Sequence, residues 1–207
     1  MSLASYDIVI TPSNELGNKA VKQSQKLEQF GTLYTLKYGD YYPHSSLFMV
    51  QLDSDNLDPV INALQTIALS TSILAATATN YDQKMQYFDV EYATTPQLIQ
   101  LQNEVLEACN PLRQGTRPKV LERMQTAEGL KLKNFEMYGY DAVGELYRPH
   151  ITFNRFTRDQ DIASLVMPSP DTFNGQFTKL CLFEMGDNGT CRREIASFAL
   201  QYIHEIL

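Results

Sequence analysis

Apolar residues recur along the chain with two periodicities, one typical of strands and one typical of helices. Alternating or continuous apolar runs predict strands, which we place at 6–10, 32–38, 44–52, 71–79, 86–92, 148–156, 173–183 and 193–202. Apolar residues three or four positions apart predict helices that begin near residues 16, 58 and 96. Shorter helices are predicted between 111 and 140 and at 159–165.

Turn and capping signals support this order. Asp58 and Thr95 are each followed by proline, a combination that favours the start of a helix. Asn188-Gly189 stands between two strand-like runs and predicts a closing hairpin, and a polar turn is predicted at 80–84. No glycine-rich loop joins a strand to a helix, so neither a phosphate-binding loop nor a dinucleotide fold is indicated. The pattern therefore predicts an α+β fold with antiparallel sheets.

Composition narrows the class of protein. The 207 residues are 43% hydrophobic and 20% charged, which is typical of a globular chain, and we expect one bilobal domain over 1–207. The net charge of −7 argues against binding to duplex DNA by charge alone, but it is compatible with one or two bound phosphates. No run is long and apolar enough for a membrane span or a secretory signal. We expect a cytoplasmic monomer.

The cysteines and one histidine carry no chemistry that we can identify. Cys109, Cys181 and Cys191 are an odd number without a paired spacing, which argues against disulfides and a structural zinc site. His204 has no hydroxyl neighbour, and we interpret it as structural or exposed. Basic residues between 113 and 123 are interpreted as a solvated helix face, with a phosphate-facing loop as the alternative.

The other two histidines stand in matching contexts. Both follow a proline and precede a hydroxyl residue by two positions, giving His44 with Ser46 and His150 with Thr152. On a strand, residues i and i+2 share a face, so each pair would project together. The motifs are 106 residues apart, a separation that fits two halves of one bilobal domain.

Two imidazoles and two hydroxyls facing one groove suit phosphodiester chemistry. A neutral imidazole can take a proton from a nucleophile, while a protonated one gives a proton to the leaving oxygen. The hydroxyls can bind the non-bridging oxygens of the phosphate. The alternative is that each histidine is an ordinary half-buried polar residue, because so short a motif also arises by chance.

The second motif extends into a longer resemblance. Segment 148–156, RPHITFNRF, resembles the form Pro-His-Ile-Thr-Leu-x-Arg-Phe of the two-histidine phosphoesterase superfamily, which includes the 2′-5′ RNA ligase and cyclic nucleotide phosphodiesterase family. The resemblance implies a bilobal α+β fold, two antiparallel sheets flanked by helices, and one motif in each lobe facing a central groove. It also implies catalysis without a metal or another cofactor.

The resemblance assigns roles to particular residues. His44 and His150 would form the acid–base pair, with Ser46 and Thr152 binding phosphate. Arg155 matches an arginine that holds substrate phosphate in the family, and the alternative is a surface salt bridge. Strict alternation from His150 would place Arg155 on the opposite face, so this role requires a twist or the end of the strand. Tyr42 and Tyr147 flank the motifs and could stack on a base, but the favoured interpretation of each is an ordinary packed or half-exposed tyrosine.

The leading hypothesis is a metal-independent phosphodiesterase that acts on a 2′,3′-cyclic phosphate or a related cyclic or 2′-5′ phosphodiester of a nucleotide or RNA end. Which histidine is the acid, which is the base, and whether the reaction runs toward hydrolysis or ligation stay open. The alternative hypothesis is a protein of the same fold that binds a nucleotide or RNA end without turnover.

Overall fold

The computed structural model describes residues 3–161 and 165–202, so His204 and the centre of the helix predicted at 159–165 lie outside the described residues. The strands are β1 (Leu3–Pro12), β2 (Ser45–Asp53), β3 (Leu74–Ala76), β4 (Ala78–Lys84), β5 (Tyr87–Tyr92), β6 (His150–Arg155), β7 (Gly175–Met185) and β8 (Cys191–Ala199). The helices are α1 (Asn14–Leu27), α2 (Leu57–Ser70), α3 (Pro96–Cys109), α4 (Pro118–Met124) and α5 (Gly129–Tyr138).

The strands form two antiparallel sheets, which confirms the predicted α+β class. The larger sheet has the order β2-β1-β7-β3, and β8 also pairs with β7. The smaller sheet has the order β4-β5-β6. The first histidine motif thus lies at an edge of the large sheet and the second at an edge of the small one.

Some of the predicted capping and turn signals hold and others fail. The Thr95 side chain accepts a hydrogen bond from Leu98 N at 3.2 Å and caps α3 as predicted, and the closing hairpin forms around Asn188-Gly189. Asp58 does not cap α2, which begins one residue earlier, directly after a 3-10 turn over 54–56.

Two segments differ from the prediction. The hairpin between β4 and β5 turns at Met85 and Gln86, both at positive φ, instead of within 80–84, which is itself strand. Neither residue is typical of that conformation, so the sequence carries no local sign of the turn. Segment 32–38 forms only isolated bridges, at Thr32 and Lys37, and not a strand, because a turn over 37–40 reverses the chain.

The main apolar core is continuous from the large sheet to the small one. It includes Ile8 and Phe48 on one side and Phe88 and Phe153 on the other, all fully buried. Helix α1 contacts both β1 and β6, while α3 packs against β2. No helix in the described ranges is both long and apolar enough to cross a membrane.

Both motif strands contain a β-bulge at the same place, three residues after the histidine. The register of β2 against β1 skips Leu47, and the register of β6 against β5 skips Phe153. A bulged residue leaves the regular ladder, and here a buried helix side chain binds its carbonyl. Gln102 Nε2 of α3 donates to Leu47 O at 3.0 Å, and Ser24 Oγ of α1 donates to Phe153 O at 2.8 Å. The two motifs are therefore built in the same way.

Candidate active site

The two histidines are oriented by equivalent hydrogen bonds. His44 directly precedes β2, and its Nδ1 lies 2.7 Å from the carbonyl oxygen of Tyr42. His150 is the first residue of β6, and its Nδ1 lies 2.7 Å from the carbonyl oxygen of Arg148. Because a carbonyl oxygen only accepts, each Nδ1 carries a hydrogen. In the neutral ring, Nε2 then holds the free electron pair that can accept a proton.

The two motifs meet at their histidines. His150 N donates to Ser45 Oγ, the residue after His44, at 3.2 Å. The environments of the rings nevertheless differ. The side chain of His44 is 14% exposed, and burial lowers its pKa to about 4, with a further lowering by the charge of His150. His44 is therefore neutral at pH 7 and able to act as a base.

Ser46 is engaged by a residue that the sequence analysis missed. Ser46 is 8% exposed, and its Oγ lies 2.7 Å from Oδ2 of Asp7 on β1. The same carboxyl oxygen lies 3.8 Å from Nε2 of His44. A charged residue within the apolar strand 6–10 was the available signal, because such residues are rarely fully buried without a partner.

The buried carboxyl of Asp7 is held in an unusual state. Asp7 is 0% exposed, and its Oδ1 has no hydrogen-bond partner among the described residues. Burial raises its pKa to about 7, against the opposing effects of the Ser46 hydrogen bond and the Arg117 charge. This carboxyl therefore carries a proton below neutrality and loses it as the pH rises through about 7.

Asp7, His44 and Cys191 also form the one grouping, within the described ranges, whose donor atoms could reach a shared metal ion, all lying within 4.8 Å of one another. A cysteine ligand must be a thiolate, but burial holds the pKa of Cys191 well above its usual value. We therefore interpret Asp7, His44 and Cys191 by their protonation states and not as metal ligands.

The bulge in β6 corrects the expectation for Arg155. Thr152 pairs with Asp89 and Arg155 pairs with Tyr87. Asp89 and Tyr87 are two residues apart on β5 and share a face, so Thr152 and Arg155 share a face as well. Strict alternation fails because Phe153 is the extra residue.

Arg155 is restrained by groups near the second motif. Its Nη1 donates to Oδ1 of Asn188 at 2.6 Å, and its guanidinium carbon lies 4.8 Å from the centre of the Tyr87 ring. Its Nε is buried without a partner among the described residues. The guanidinium has no carboxylate partner there, so its charge is available to an anion.

The two flanking tyrosines differ in burial, since Tyr147 is buried and Tyr42 is half-buried. Tyr42 lies against Phe183, with ring centres 4.9 Å apart. Tyr147 is 5% exposed and belongs to the main core. The burial of Tyr147 argues against stacking of its ring on a base, whereas the role of Tyr42 stays a prediction.

Arg117, interpreted from sequence as part of a solvated face, instead points inward. It directly precedes α4, its Nη1 lies 3.6 Å from Sδ of Met185, and its buried Nε has no partner in the described part of the chain. Its charge favours the ionised form of Asp7, and burial lowers the pKa of the guanidinium. Arg117 adds positive charge on the side of the first motif, where Met49 occupies the position that corresponds to Arg155.

An ion-pair cluster supports the backbone at the second histidine. The guanidinium of Arg148 contacts Asp82 and Asp89, each at 2.9 Å, and also contacts Glu91. Arg148 supplies the carbonyl that binds His150, so these pairs help to fix the orientation of the ring.

Comparison with known proteins identifies the fold. E. coli LigT in its apo form matches with a TM-score of 0.62 and 14% identity, over 97% of this chain and 99% of that one. TT0787 of Thermus thermophilus matches with a TM-score of 0.61 and 14% identity, over 97% of this chain and 100% of that one. A structure of LigT complexed with 3′-AMP matches with a TM-score of 0.57 and 13% identity, over 97% of this chain and 99% of that one.

No family model matches the sequence, and no curated protein matches it significantly. At these identities the likeness is one of fold. The predicted α+β fold with two antiparallel sheets flanked by helices is confirmed, because the chain has the LigT fold over nearly its whole length. A central groove faced by one motif from each lobe stays a prediction.

Proposed function

We propose that the protein is a phosphodiesterase of the two-histidine phosphoesterase superfamily that acts on a 2′,3′-cyclic phosphate or a related cyclic or 2′-5′ nucleotide phosphodiester. The observation that carries the proposal is the pairing of two equivalently built histidines. Each ring donates from Nδ1 to the carbonyl two residues before it, and the motifs meet between His150 N and Ser45 Oγ. The complex of LigT with 3′-AMP supports a nucleotide ligand for this fold.

The different environments of the rings suggest how the roles divide in hydrolysis. His44 is neutral at pH 7 because burial lowers its pKa to about 4, so it takes the proton of the attacking water. His150 then gives a proton to the leaving ribose oxygen. The bond from water to phosphorus forms as the bond to the ribose oxygen breaks, and the reverse reaction exchanges the two roles.

Positive charge and hydrogen-bond donors would stabilise the phosphate during this reaction. Arg155 and Thr152 share a face beside His150, and we assign both to the phosphate oxygens. Ser46 has the same role beside His44. Since proton transfer and positioning supply the catalysis, the proposal requires no metal ion. We further infer a monomer that works in the cytoplasm.

A substrate panel tests the proposal. The protein is incubated with 2′,3′-cyclic nucleotides, 2′-5′ dinucleotides and 3′-5′ dinucleotides, and the products are separated by chromatography. We expect turnover of a cyclic or 2′-5′ phosphodiester and none of the 3′-5′ dinucleotide, which serves as a matched control. Tight binding without turnover would support the alternative of a binding protein, and neither binding nor turnover would contradict both.

A further inference from the structure

The Ser46 hydroxyl has one hydrogen, and the charge on Asp7 decides where that hydrogen points. Oγ of Ser46 lies 2.7 Å from Oδ2 of Asp7. If Asp7 is a carboxylate it can only accept, so Ser46 must donate to it and then presents only electron pairs to a substrate. Such a hydroxyl would repel a phosphate oxygen instead of binding it. The proposed role of Ser46 therefore depends on the protonation state of its neighbour.

The surroundings of Asp7 favour the neutral acid. The carboxyl is 0% exposed, and Ser46 is the one hydrogen-bond donor to it among the described residues. A buried carboxylate is normally stabilised by several donors or by a direct ion pair. His44 does not supply one, because its Nε2 lies 3.8 Å away and carries no hydrogen in the neutral ring.

We propose that Asp7 is a positioning residue that takes part as a neutral carboxylic acid, donating its own hydrogen to Ser46 Oγ and so turning the Ser46 hydrogen toward the substrate phosphate. Two consecutive hydrogen bonds result: the Asp7 carboxyl donates to the Ser46 hydroxyl, and the Ser46 hydroxyl donates to a phosphate oxygen. No atom is transferred, and only the direction of the hydrogen bond between the two side chains reverses. This inference rests on the proposed function.

In the second motif no carboxyl is hydrogen-bonded to the hydroxyl residue within the described residues. This motif is therefore an internal comparison for the pair of Asp7 and Ser46. Thr152 forms no side-chain hydrogen bond within the described residues. Its strand partner Asp89 is instead bound by the guanidinium of Arg148 at 2.9 Å. Thr152 can therefore donate to phosphate at any pH, whereas Ser46 donates only when Asp7 is protonated.

The other ionisable groups around Asp7 keep one state between pH 6 and pH 9. These groups are His44 before β2, Cys191 on β8, Arg117 before α4, Tyr140 after α5 and Tyr147 before β6. Burial keeps the histidine neutral and raises the pKa of the thiol and of both phenols, while the arginine stays charged. The Asp7 pKa of about 7 leaves it as the group of this set that titrates in that range.

The test measures binding in a His150→Ala background, which suppresses turnover. The probe is 2′,3′-cyclic AMP, whose single phosphodiester charge does not titrate near neutrality. With Asp7 present, we expect the affinity to fall about tenfold between pH 6 and pH 8, because only the protonated fraction binds well. With Asp7→Asn, whose amide is always a donor, we expect the affinity to stay constant and to be about tenfold higher at pH 8.

Two controls complete the design. Adding Ser46→Ala should abolish the difference that Asp7→Asn makes, because the hydroxyl through which residue 7 acts is gone. Infrared spectroscopy should show the carbonyl band of a protonated carboxyl at pH 6 that disappears in Asp7→Asn, a readout that needs no ligand.

The outcomes separate the two proposals. Binding that is independent of pH with Asp7 present, or weakened at pH 8 by Asp7→Asn, overturns the role of Asp7 but leaves the proposed function standing. Failure of every variant to bind the probe, together with absence of turnover by the unmodified protein, contradicts the proposed function and the role of Asp7 with it.

Discussion

His44 and His150 share a hydrogen-bond pattern but differ in what surrounds them, and this difference is the basis of the separate roles that we propose for them. Each ring is fixed by the backbone carbonyl two residues before it, and the backbone of Gly189 also interacts with His44. His44 is additionally enclosed with Asp7 and Cys191, and that enclosure keeps it neutral. General acid–base catalysis needs one group that takes a proton and one that gives a proton, and a neutral His44 suits the first of these roles.

Replacing either histidine should remove one proton transfer from the reaction. We expect His44→Ala and His150→Ala each to lower kcat by about 10²- to 10⁴-fold in steady-state assays on the best substrate. Ser46→Ala and Thr152→Val, which each remove one hydrogen bond, should cost less. The double histidine variant should fall short of the product of the single effects, because the pair acts as a unit. Near-normal turnover by either single variant would contradict the assignment.

The low pKa of His44 sets the acid limit of activity. A base works only when unprotonated, so we expect kcat/KM for hydrolysis to be lost as the pH falls through about 4. A pH–rate profile in buffers of constant ionic strength measures this limit, with circular dichroism at each pH as the control for folding. A limit that stays in place in His44→Ala would show that another group is responsible.

The buried acid Asp7 should make stability depend on pH. Its folded pKa of about 7 lies above that of the unfolded chain, so the carboxyl lowers stability progressively as the pH rises from about 4 to 7. We expect Asp7→Asn to raise the free energy of unfolding by on the order of 4 kcal/mol at pH 8 and by less than about 1 kcal/mol near pH 4. Urea unfolding at both values measures the change, and Asp58→Asn on an exposed helix turn is the control. An increase in the free energy of unfolding that is equal at both pH values would contradict the raised pKa of Asp7.

For individual residues, the sequence predicts those that lie within a motif. It misses the residues that the fold brings to the motif from elsewhere in the chain. The histidines and hydroxyls were identifiable from their spacing. Asp7 and Arg117 come from elsewhere in the chain, and no local pattern links either to Ser46. Tyr147 shows the opposite case, since its adjacency to the second motif suggested a role that its burial argues against.

Among the elements, the two bulges decide which side chains reach the site. Each bulge shifts the alternation of its strand, and each exposes a carbonyl that a helix side chain binds. Helices α1 and α3 thus help to hold the motifs. No rule of alternation locates such a bulge, which is why the face of Arg155 was predicted incorrectly. The turn at Met85 and Gln86 was missed for a related reason, because its residues are untypical of positive φ.

Gln102 is the residue that tests the support of the first bulge. Its amide nitrogen donates to Leu47 O at 3.0 Å and to Ala142 O at 2.8 Å. Gln102→Met keeps the size of the side chain but leaves both carbonyls unpaired, so we expect a loss of about 2–4 kcal/mol in the free energy of unfolding. Gln97→Met on the exposed face of α3 is the matched control. Equal effects of the two changes in urea unfolding would show that the bulge carbonyl does not need its partner.

For the molecule as a whole, the protein's own side chains supply both proton transfers of the proposed reaction and the groups that stabilise the phosphate. We expect turnover to survive dialysis against a strong chelator, because no step uses a metal ion. The comparison is activity before and after chelation, with and without added Zn²⁺ or Mg²⁺. Loss of turnover that a divalent ion restores would instead identify a metallophosphoesterase and give Asp7, His44 and Cys191 a different meaning.

The order in which the sheet closes has a consequence for how the protein is made. Strand β1 lies between β2, which follows it closely, and β7, whose paired residues 177–184 come near the other end of the chain. On the ribosome, β1 would therefore present an unpaired edge until most of the chain has been synthesised, and such edges invite pairing with other chains. Cys191 reaches His44 only after that strand is in place. The enclosure that neutralises His44 thus forms only after β8 has been synthesised, so a chain that lacks β8 would hold the first motif without this enclosure.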